Sequence, residues 1–225
     1  MKKGDKMETI VISLGGSIIV PKNIDYNYVK DFKKIISSDR RKFVIVTGGG
    51  GTARDYISAL RKQGASNKRQ DNIGIEITRL NAKLVAGVFN LSEKIPENVK
   101  QVKSMWKKQR ITLCGGFRPG ITTDGVAAEI AKEIKAQTLI NITNVAGLYT
   151  KDPKLKGAKF IPEIKYRDFQ KFLDKFNEKP GQHFVLDKYA AKIAKANKIR
   201  VVILKGIENL RACLSEKTFK GTIIH

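Results

Sequence analysis

Three glycine clusters are the residues of this sequence best suited to chemistry. They are Gly15-Gly16-Ser17, Gly48 to Gly51, and Gly115-Gly116 with Pro119-Gly120, and each follows a short apolar run. Glycine lets backbone N–H groups approach a phosphate with no side chain in between, and the positive end of a following helix favours the anion. A glycine after a strand can also be simple turn geometry. Three clusters at equivalent positions favour a phosphate-binding site.

Other common site motifs are missing from the sequence. No G-x-x-x-x-G-K-[ST] occurs, and no cluster reads G-x-G-x-x-G with an acidic residue at the Rossmann distance, which disfavours P-loop kinases and nicotinamide enzymes. Neither histidine, His183 or His225, lies in an HExxH motif, and there is no G-x-S-x-G serine. Cys114 and Cys213 lack partners at ligand spacing, so we expect no disulfide framework and no metal-ligating residues.

The clusters must be positioned by the elements around them. β-Branched and apolar runs predict strands, and apolar residues at helical spacing predict helices between them. The predicted strands are Glu8–Leu14, Phe43–Val46, Arg110–Cys114, Leu139–Ile142, Arg200–Leu204 and Thr222–Ile224. The predicted helices are Tyr26–Ile36, Thr52 to about Gln63, Ile73–Phe89, Val99–Lys108, Thr123–Lys135, Tyr166 to about Phe176 and Asp187–Asn197, and a loop spans Asn144–Lys159.

This alternation is typical of an α/β protein with a mostly parallel sheet covered on both faces. The carboxyl ends of its strands then meet at one edge, where ligands bind in such folds. No low-complexity linker or repeat interrupts the chain, so we predict one domain over residues 1–225. Its two lobes share one sheet and divide at about residue 120.

Composition sets the class of protein. With 225 residues, 41% hydrophobic and 29% charged, the sequence is that of a soluble globular protein, and no apolar run approaches the ~20 residues of a membrane span. The basic start Met1 to Met7 lacks the apolar stretch of a signal peptide, so we expect a cytoplasmic protein.

The net charge of +23 raises the alternative of a nucleic-acid partner. However, only 11 of the 44 Lys and Arg residues are Arg, and the lysines are dispersed along the chain. We therefore expect compositional bias and anionic substrates, with no specific nucleic acid. An RNA role remains the alternative.

Six segments in order carry a family resemblance. They are VISLGGSIIVP (Val11 to Pro21), VTGGGGTAR (Val46 to Arg54), DNIGIEITRLNA (Asp71 to Ala82), GGFRPGITTDGVAA (Gly115 to Ala128), ITNVAGLYTKDP (Ile142 to Pro153) and VLDKYAAKIA (Val185 to Ala194). Together they resemble the amino acid kinase family and, more narrowly, its archaeal uridylate (UMP) kinase branch. The resemblance covers nearly the whole chain.

The resemblance implies a three-layer αβα sandwich and the transfer of the ATP γ-phosphoryl group to UMP. The amino-terminal lobe would hold UMP and the carboxyl-terminal lobe ATP with Mg²⁺. The implied catalytic residues are Arg54, Asp187 and Lys192. The implied ATP-binding residues are Gly16, Ser17, Gly50, Arg54, Thr143, Asn144, Tyr149 and Asp152, and the implied UMP-binding residues are Gly49, Asp71, Phe117, Arg118, Pro119, Gly120, Ile121, Thr122 and Thr123. A homo-hexamer is also implied.

Several of these residues also have an interpretation that involves no ligand. Asp71, Asp187 and Thr122–Thr123 with Asp124 could each be helix-capping residues. Tyr149 and Asp152 could belong to a turn before Pro153. Arg54 and Lys192 could be solvated surface residues.

The sequence departs from the family pattern at four positions. Ser13 stands where many members carry a Lys, Gly51 where a Lys often follows the glycines, Ala146 where an Asp is usual, and Arg118 where a His is frequent. Positive charge would then come from Arg54, Arg118, Lys192 and Mg²⁺.

Two rival functions remain open. One is another small-acceptor kinase of the family, acting on isopentenyl phosphate, acetylglutamate or carbamate. The isopentenyl phosphate branch places a His after the second glycine cluster, where this chain has Thr52-Ala53-Arg54. The other is a nucleotide- or RNA-binding regulator without catalysis.

Overall fold

The structure is a computed structural model that describes residues 7–175 and 185–225. The strands are β1 (Thr9–Leu14), β2 (Lys42–Thr47), β3 (Ile111–Cys114), β4 (Thr138–Ile142), β5 (Leu148–Tyr149), β6 (Phe160–Ile161), β7 (Glu163–Ile164), β8 (Arg200–Leu204) and β9 (Gly221–Ile224). The helices are α1 (Gly16–Ile19), α2 (Tyr26–Ser38), α3 (Gly50–Lys62), α4 (Asn67–Phe89), α5 (Val99–Lys108), α6 (Thr123–Ile134), α7 (Tyr166–Lys175), α8 (Lys188–Ala196) and α9 (Ile207–Leu214).

Seven strands form one sheet in the order β3-β2-β1-β4-β8-β9-β7, and β5 and β6 form a separate hairpin. Strands β1, β2, β3, β4 and β8 are parallel, with Leu14 opposite Thr47 on one side and Ile142 on the other. Strand β9 is antiparallel to β8. The chain builds outward from β1 through β2 to β3, and then returns to β4 on the other side of β1. Such a reversal leaves a crevice between β1 and β4 at their carboxyl ends.

Two apolar clusters cover the two faces of the sheet. One packs α5, α6, α7 and α8 against residues such as Val11, Val44 and Val201. The other packs α1, α2, α4 and α9 against residues such as Ile12 and Ile45. Alternate residues of each strand thus point into opposite cores, which explains the continuous apolar character of the central strands. The predicted α/β class and three-layer αβα sandwich are confirmed.

Several element boundaries differ from the sequence prediction. Helix α4 begins at Asn67 and not at Ile73, because the Ser66 side chain accepts from the Arg69 N–H and caps a polar first turn. The short helices α1 and α9 were not predicted. The predicted end of α7 at Phe176 lies outside the described residues. No helix in residues 7–175 and 185–225 is both long and apolar enough to cross a membrane.

Candidate active site

The crevice beside β1 brings the predicted glycine clusters to one edge of the sheet. Loops leave this edge after β1, β2, β3 and β4, because these strands are parallel. The Gly15 N–H donates to the Ile142 carbonyl at 2.9 Å, which ties the first glycine turn to the end of β4. The two halves of the chain therefore meet at the crevice.

The first two glycine loops are interlocked through their backbones. A Cβ added to Gly16 would lie 2.1 Å from the Gly50 nitrogen, and one added to Gly50 would lie 2.4 Å from the Gly16 oxygen. Gly50 also has a φ of +66°, in the region that favours glycine. Both residues are thus required for the loops to approach, in addition to any contact with a ligand.

These loops present unpaired donors at the starts of α1 and α3. Neither helix has a side-chain N-cap. The backbone N–H groups of Gly16, Ser17, Gly49 and Gly50 donate to no acceptor in the described part of the chain. Unpaired N–H groups at helix starts favour an anion such as phosphate. The exposed Arg54 lies on the first turns of α3, where its guanidinium donates to the Pro21 carbonyl at 3.1 Å.

Helix α4 holds the glycine loops in place with buried polar side chains. The Asn81 amide donates to the Gly48 and Gly49 carbonyls at 2.7 and 3.2 Å. The Thr78 hydroxyl accepts from the Gly116 N–H at 2.6 Å, which fixes the third cluster. Sequence reasoning did not single out Asn81 or Thr78. In the sequence, the one feature that could have identified them is that each is a polar residue on the apolar face of a predicted helix.

Asp71 lies inside α4, and its carboxylate reaches the third loop. It accepts from the Gly120 N–H at 2.8 Å through Oδ2. The helix-cap interpretation of Asp71 is therefore wrong, because Ser66 holds that position.

The loop after β3 carries the other predicted UMP-binding residues. Phe117 packs on the apolar cluster under α6, whereas Arg118, Pro119 and Gly120 are exposed. The side chain of Ile121 adjoins Gly125, and Thr123 begins α6. Thr122 caps α6 by accepting from the Gly125 N–H at 3.1 Å, so its capping interpretation is confirmed.

Arg118 is part of a three-residue cluster that sequence reasoning did not predict. Its guanidinium donates to both carboxylate oxygens of Glu129 at 3.0 and 2.5 Å, and the Tyr189 hydroxyl donates to the same carboxylate at 2.5 Å. These contacts hold the pKa of Glu129 below its ordinary value, even though burial acts in the opposite direction. A phosphate that recruits Arg118 must compete with Glu129.

Two carboxylates lie beside the crevice between β1 and β4. Asp124 accepts from the Ser13 hydroxyl at 2.6 Å and from the Asn141 amide at 3.2 Å. Burial raises the pKa of Asp124 to about 6, and the negative charge of Asp187 contributes. Asp187 accepts from the Thr122 hydroxyl and caps α8 through the Ala190 N–H, so its capping interpretation is also confirmed. Ser13 thus has a defined hydrogen-bond partner in this structure.

Four of the predicted ATP-binding residues, Thr143, Asn144, Tyr149 and Asp152, lie after β4. The Thr143 N–H donates to the Leu204 carbonyl at 3.0 Å, and the adjacent Asn144 is exposed. Tyr149 belongs to the β5–β6 hairpin, with its ring 5.3 Å from that of Phe160. Asp152 accepts from the Lys154 N–H at 2.9 Å, as its turn interpretation predicts. Lys192 is exposed on α8.

The arrangement suits the binding of phosphoanions between two groups of loops. Backbone donors and Arg54 supply positive potential on one side, and the Asp124–Asp187 pair supplies negative charge near the crevice. This combination can hold a nucleotide phosphate and a metal-bound phosphate next to each other.

Comparison with known proteins supports this assignment. The profile described as the amino acid kinase family matches residues 8–205. A protein of Thermoplasma acidophilum named uridylate kinase is 40% identical, with 95% of this chain and 93% of the relative covered. The crystal structure of uridylate kinase from Archaeoglobus fulgidus is 33% identical, with a TM-score of 0.84 and coverage of 96% of this chain and 99% of that one. The crystal structure of UMP kinase from Ureaplasma parvum, at 22% identity and a TM-score of 0.80, shares the fold. Because the match extends over most of the sequence, this chain belongs to the amino acid kinase family.

Proposed function

We propose that this protein is a UMP kinase that transfers the γ-phosphoryl group of ATP to UMP and yields UDP and ADP. The observation that carries the proposal is the 40% identity, over 95% of the chain, to a relative named uridylate kinase. The Archaeoglobus structure of the same name supports it at 33% identity. The glycine loops supply the unpaired backbone donors that such a reaction needs.

The chemistry requires positioning more than covalent participation by the protein. An oxygen of the UMP phosphate attacks the γ-phosphorus, the bond to the β–γ bridging oxygen breaks, and its electron pair leaves with ADP. The attacking oxygen is already anionic, so no general base is needed. We assign Gly16, Ser17 and Gly50 to the transferring phosphates, Gly49 to the UMP phosphate, and Arg54, Asp187 and Lys192 to charge and positioning around the phosphoryl group.

The acceptor would bind between α4 and the loop after β3. Asp71 uses Oδ2 for the Gly120 N–H, so Oδ1 can accept from a ribose hydroxyl. The loop from Phe117 to Thr123 would surround the base and the phosphate. A ribose contact of this kind favours a nucleotide over an apolar isopentenyl acceptor.

The adenosine of ATP would bind along the loop after β4, at Thr143, Asn144, Tyr149 and Asp152. Mg²⁺ would accompany its phosphates. Among the described residues, no group of three or more His, Cys, Asp or Glu could hold a metal ion alone. The Asp124–Asp187 pair does offer the carboxylate oxygens that Mg²⁺ accepts alongside phosphates. The bound ion would neutralise charge on the transferring phosphoryl group.

Four broader assignments complete the proposal. The enzyme would act in pyrimidine nucleotide biosynthesis, in the cytoplasm, where ATP and UMP are available. It would assemble as a homo-hexamer. The chain would divide into an acceptor lobe over about residues 1–120 and an ATP lobe over about residues 121–225.

The test is an ATP-consumption screen with the purified protein and Mg²⁺ across nucleoside monophosphates, isopentenyl phosphate, acetylglutamate and carbamate. We expect UMP to be the best acceptor. CMP and dUMP should be poorer by about 1 to 3 kcal/mol in transition-state binding, because each leaves a buried polar group unpaired. Phosphorylation of isopentenyl phosphate or acetylglutamate without UMP would overturn the proposal.

A further inference from the structure

A basic cavity lies at the sheet edge opposite the glycine loops. Its volume is about 530 Å³, and five cationic residues line it: Lys165, Arg167, Lys195, Lys198 and Arg200. Tyr166 and His225 complete the lining. Arg200 is the first residue of β8, and the loops of the candidate active site follow the strand ends at the other edge. Four residue steps of a strand separate the two edges by about 13 Å.

Positive charge in this cavity is mostly uncompensated. Arg167 pairs with Asp168 at 3.5 Å, and His225 lies 3.2 Å from Glu163. Within residues 7–175 and 185–225, Lys165, Lys195, Lys198 and Arg200 form no salt bridge. Cations exceed carboxylates even when an α-carboxylate at His225 is counted. Like charges around a concave surface raise the local potential and attract anions.

Main-chain and core contacts fix the walls of the cavity. The Tyr166 N–H donates to the His225 carbonyl at 2.7 Å, and the Tyr166 hydroxyl donates to the Ile199 carbonyl at 2.6 Å. The Arg200 N–H donates to the Gln137 carbonyl at 2.8 Å. Tyr166 is itself buried. The lysines are exposed to solvent, and they surround an open concavity whose walls these contacts fix.

We infer that this cavity binds a small organic polyphosphate, at a site separate from the one that performs phosphoryl transfer. The volume lies within the range of small-molecule sites, roughly 300 to 1,000 Å³. Several cations around one concavity match a ligand with two or more phosphate groups better than a single carboxylate. Lysine ammonium groups bind phosphate as mobile point charges, and the two arginines add directed donors.

The test compares two charge-reversed proteins of equal net charge. The cavity variant carries Lys195→Glu and Lys198→Glu. The control carries Lys107→Glu and Lys108→Glu, two exposed lysines in the last turn of α5. Isothermal titration with inorganic tripolyphosphate gives the number of molecules bound per chain and their affinities. We expect the control to match the wild type, and the cavity variant to bind one molecule fewer or to bind it at least about tenfold more weakly.

Equal binding by the two variants would overturn the proposal. A parallel titration with a single-stranded RNA oligomer separates a small ligand from a polymer. Loss of RNA binding in the cavity variant, with tripolyphosphate binding unchanged, would also overturn it. If the charge reversal prevents folding, Lys195→Gln with Lys198→Gln should show the same loss to a smaller extent. UMP phosphorylation should be unchanged in all these variants, so the result does not depend on the proposed function.

Discussion

At the scale of single residues, Arg54 is the cation on which the proposed phosphoryl transfer depends most. It is exposed at the start of α3, and in the described residues its guanidinium forms a hydrogen bond only with the Pro21 carbonyl, so it can bind a phosphate. Arg54→Ala should lower the turnover of UMP by about 2 to 4 kcal/mol of transition-state stabilisation, the scale for one electrostatic donor. Steady-state kinetics with ATP and UMP measure the change.

The matched control is Arg69→Ala, an exposed arginine on α4. Its turnover should equal that of the wild type. The midpoint of thermal unfolding should be unchanged in both variants, because neither side chain contributes to a core. Full activity in a folded Arg54→Ala protein would make Arg54 an ordinary surface residue.

The second residue-scale prediction concerns the pH dependence of stability. The pKa of Asp124 is about 6 in the folded protein, against an ordinary value of 3.8, and burial is the largest cause. Between these two values the folded state binds more protons at this carboxyl than the unfolded state does. The contribution of this carboxyl to the free energy of unfolding therefore falls as the pH rises from 3.8 to about 6, and it is constant above that range.

Asp124→Asn removes the titrating carboxyl. The free energy of unfolding of this variant should therefore lack the fall with rising pH that Asp124 causes. The measurement is urea unfolding of both proteins between about pH 4.5 and pH 8 in magnesium-free buffer. Near pH 7 we expect the variant to be at least as stable as the wild type, since no charge is buried, but to have lower activity. Parallel pH profiles for the two proteins would contradict the assigned environment of Asp124.

The residue scale is also where sequence reasoning is weakest. Asp124 had a sufficient local explanation as a capping residue, and Glu129 lies on a helix with nothing to distinguish it from a solvated glutamate. Their partners, Ser13 for Asp124 and Tyr189 for Glu129, are 111 and 60 residues away in the sequence. Only the packing of the sheet and helices brings these pairs together. The family resemblance proposed roles for Asp71 and the glycine loops, but nothing in the sequence predicted the contacts.

At the scale of elements, periodicity predicted most strands and helices with correct type. It failed where apolar spacing was absent. The first turn of α4, Asn-Lys-Arg-Gln, carries no apolar residue, so the helix was predicted too short. Helix α9 was missed because it is only eight residues long and joins β8 through Lys205 and Gly206.

The element-scale prediction concerns the β5–β6 hairpin, which we assign to ATP binding. The buried Thr222 of β9 holds it with one hydroxyl, which donates to the Ile161 carbonyl at 2.5 Å and accepts from the Leu148 N–H at 2.8 Å. Thr222→Val preserves shape but leaves both partners unpaired, at about 1 to 3 kcal/mol each. We expect reduced stability in urea unfolding, and a KM for ATP that rises more than the KM for UMP.

Thr218→Val is the control, because Thr218 is exposed near the same strand. It should change neither KM value. If the Thr222→Val protein loses affinity for UMP and ATP equally, the hairpin does not contribute specifically to ATP binding. The loss would then be a general structural effect.

At the scale of the whole molecule, the net charge of +23 is the property that the proposed reaction does not explain. Dispersed surface lysines predict RNA binding that is weak, indifferent to sequence, and steeply lost between low and physiological salt, because each neutralised phosphate releases a counterion. Fluorescence anisotropy with several RNA oligomers across a salt series measures this dependence. UMP phosphorylation should be insensitive to added RNA. Salt-resistant binding of one particular RNA, or competition between RNA and UMP, would instead favour the alternative function, that of an RNA-binding regulator without catalysis.

The fold class was predictable because strand–helix alternation is a property of the whole chain and tolerates errors in single boundaries. The sheet order was not. Nothing in the apolar pattern indicates that β9 runs antiparallel to β8, or that a two-residue β7 closes the sheet. Those features depend on how the last strands pack at the edge of an already formed sheet.

The central position of β1 has a consequence for how the protein is made in a cell. All six residues of β1 are buried, and one of its two neighbours, β4, begins only at Thr138. Until the ribosome has released that segment, the growing chain carries an apolar strand with one open edge, which is a template for pairing with other chains. A message truncated before β4 should therefore yield an aggregating fragment and not a half-active one. Synthesis that slows in this interval should make the nascent chain dependent on chaperones.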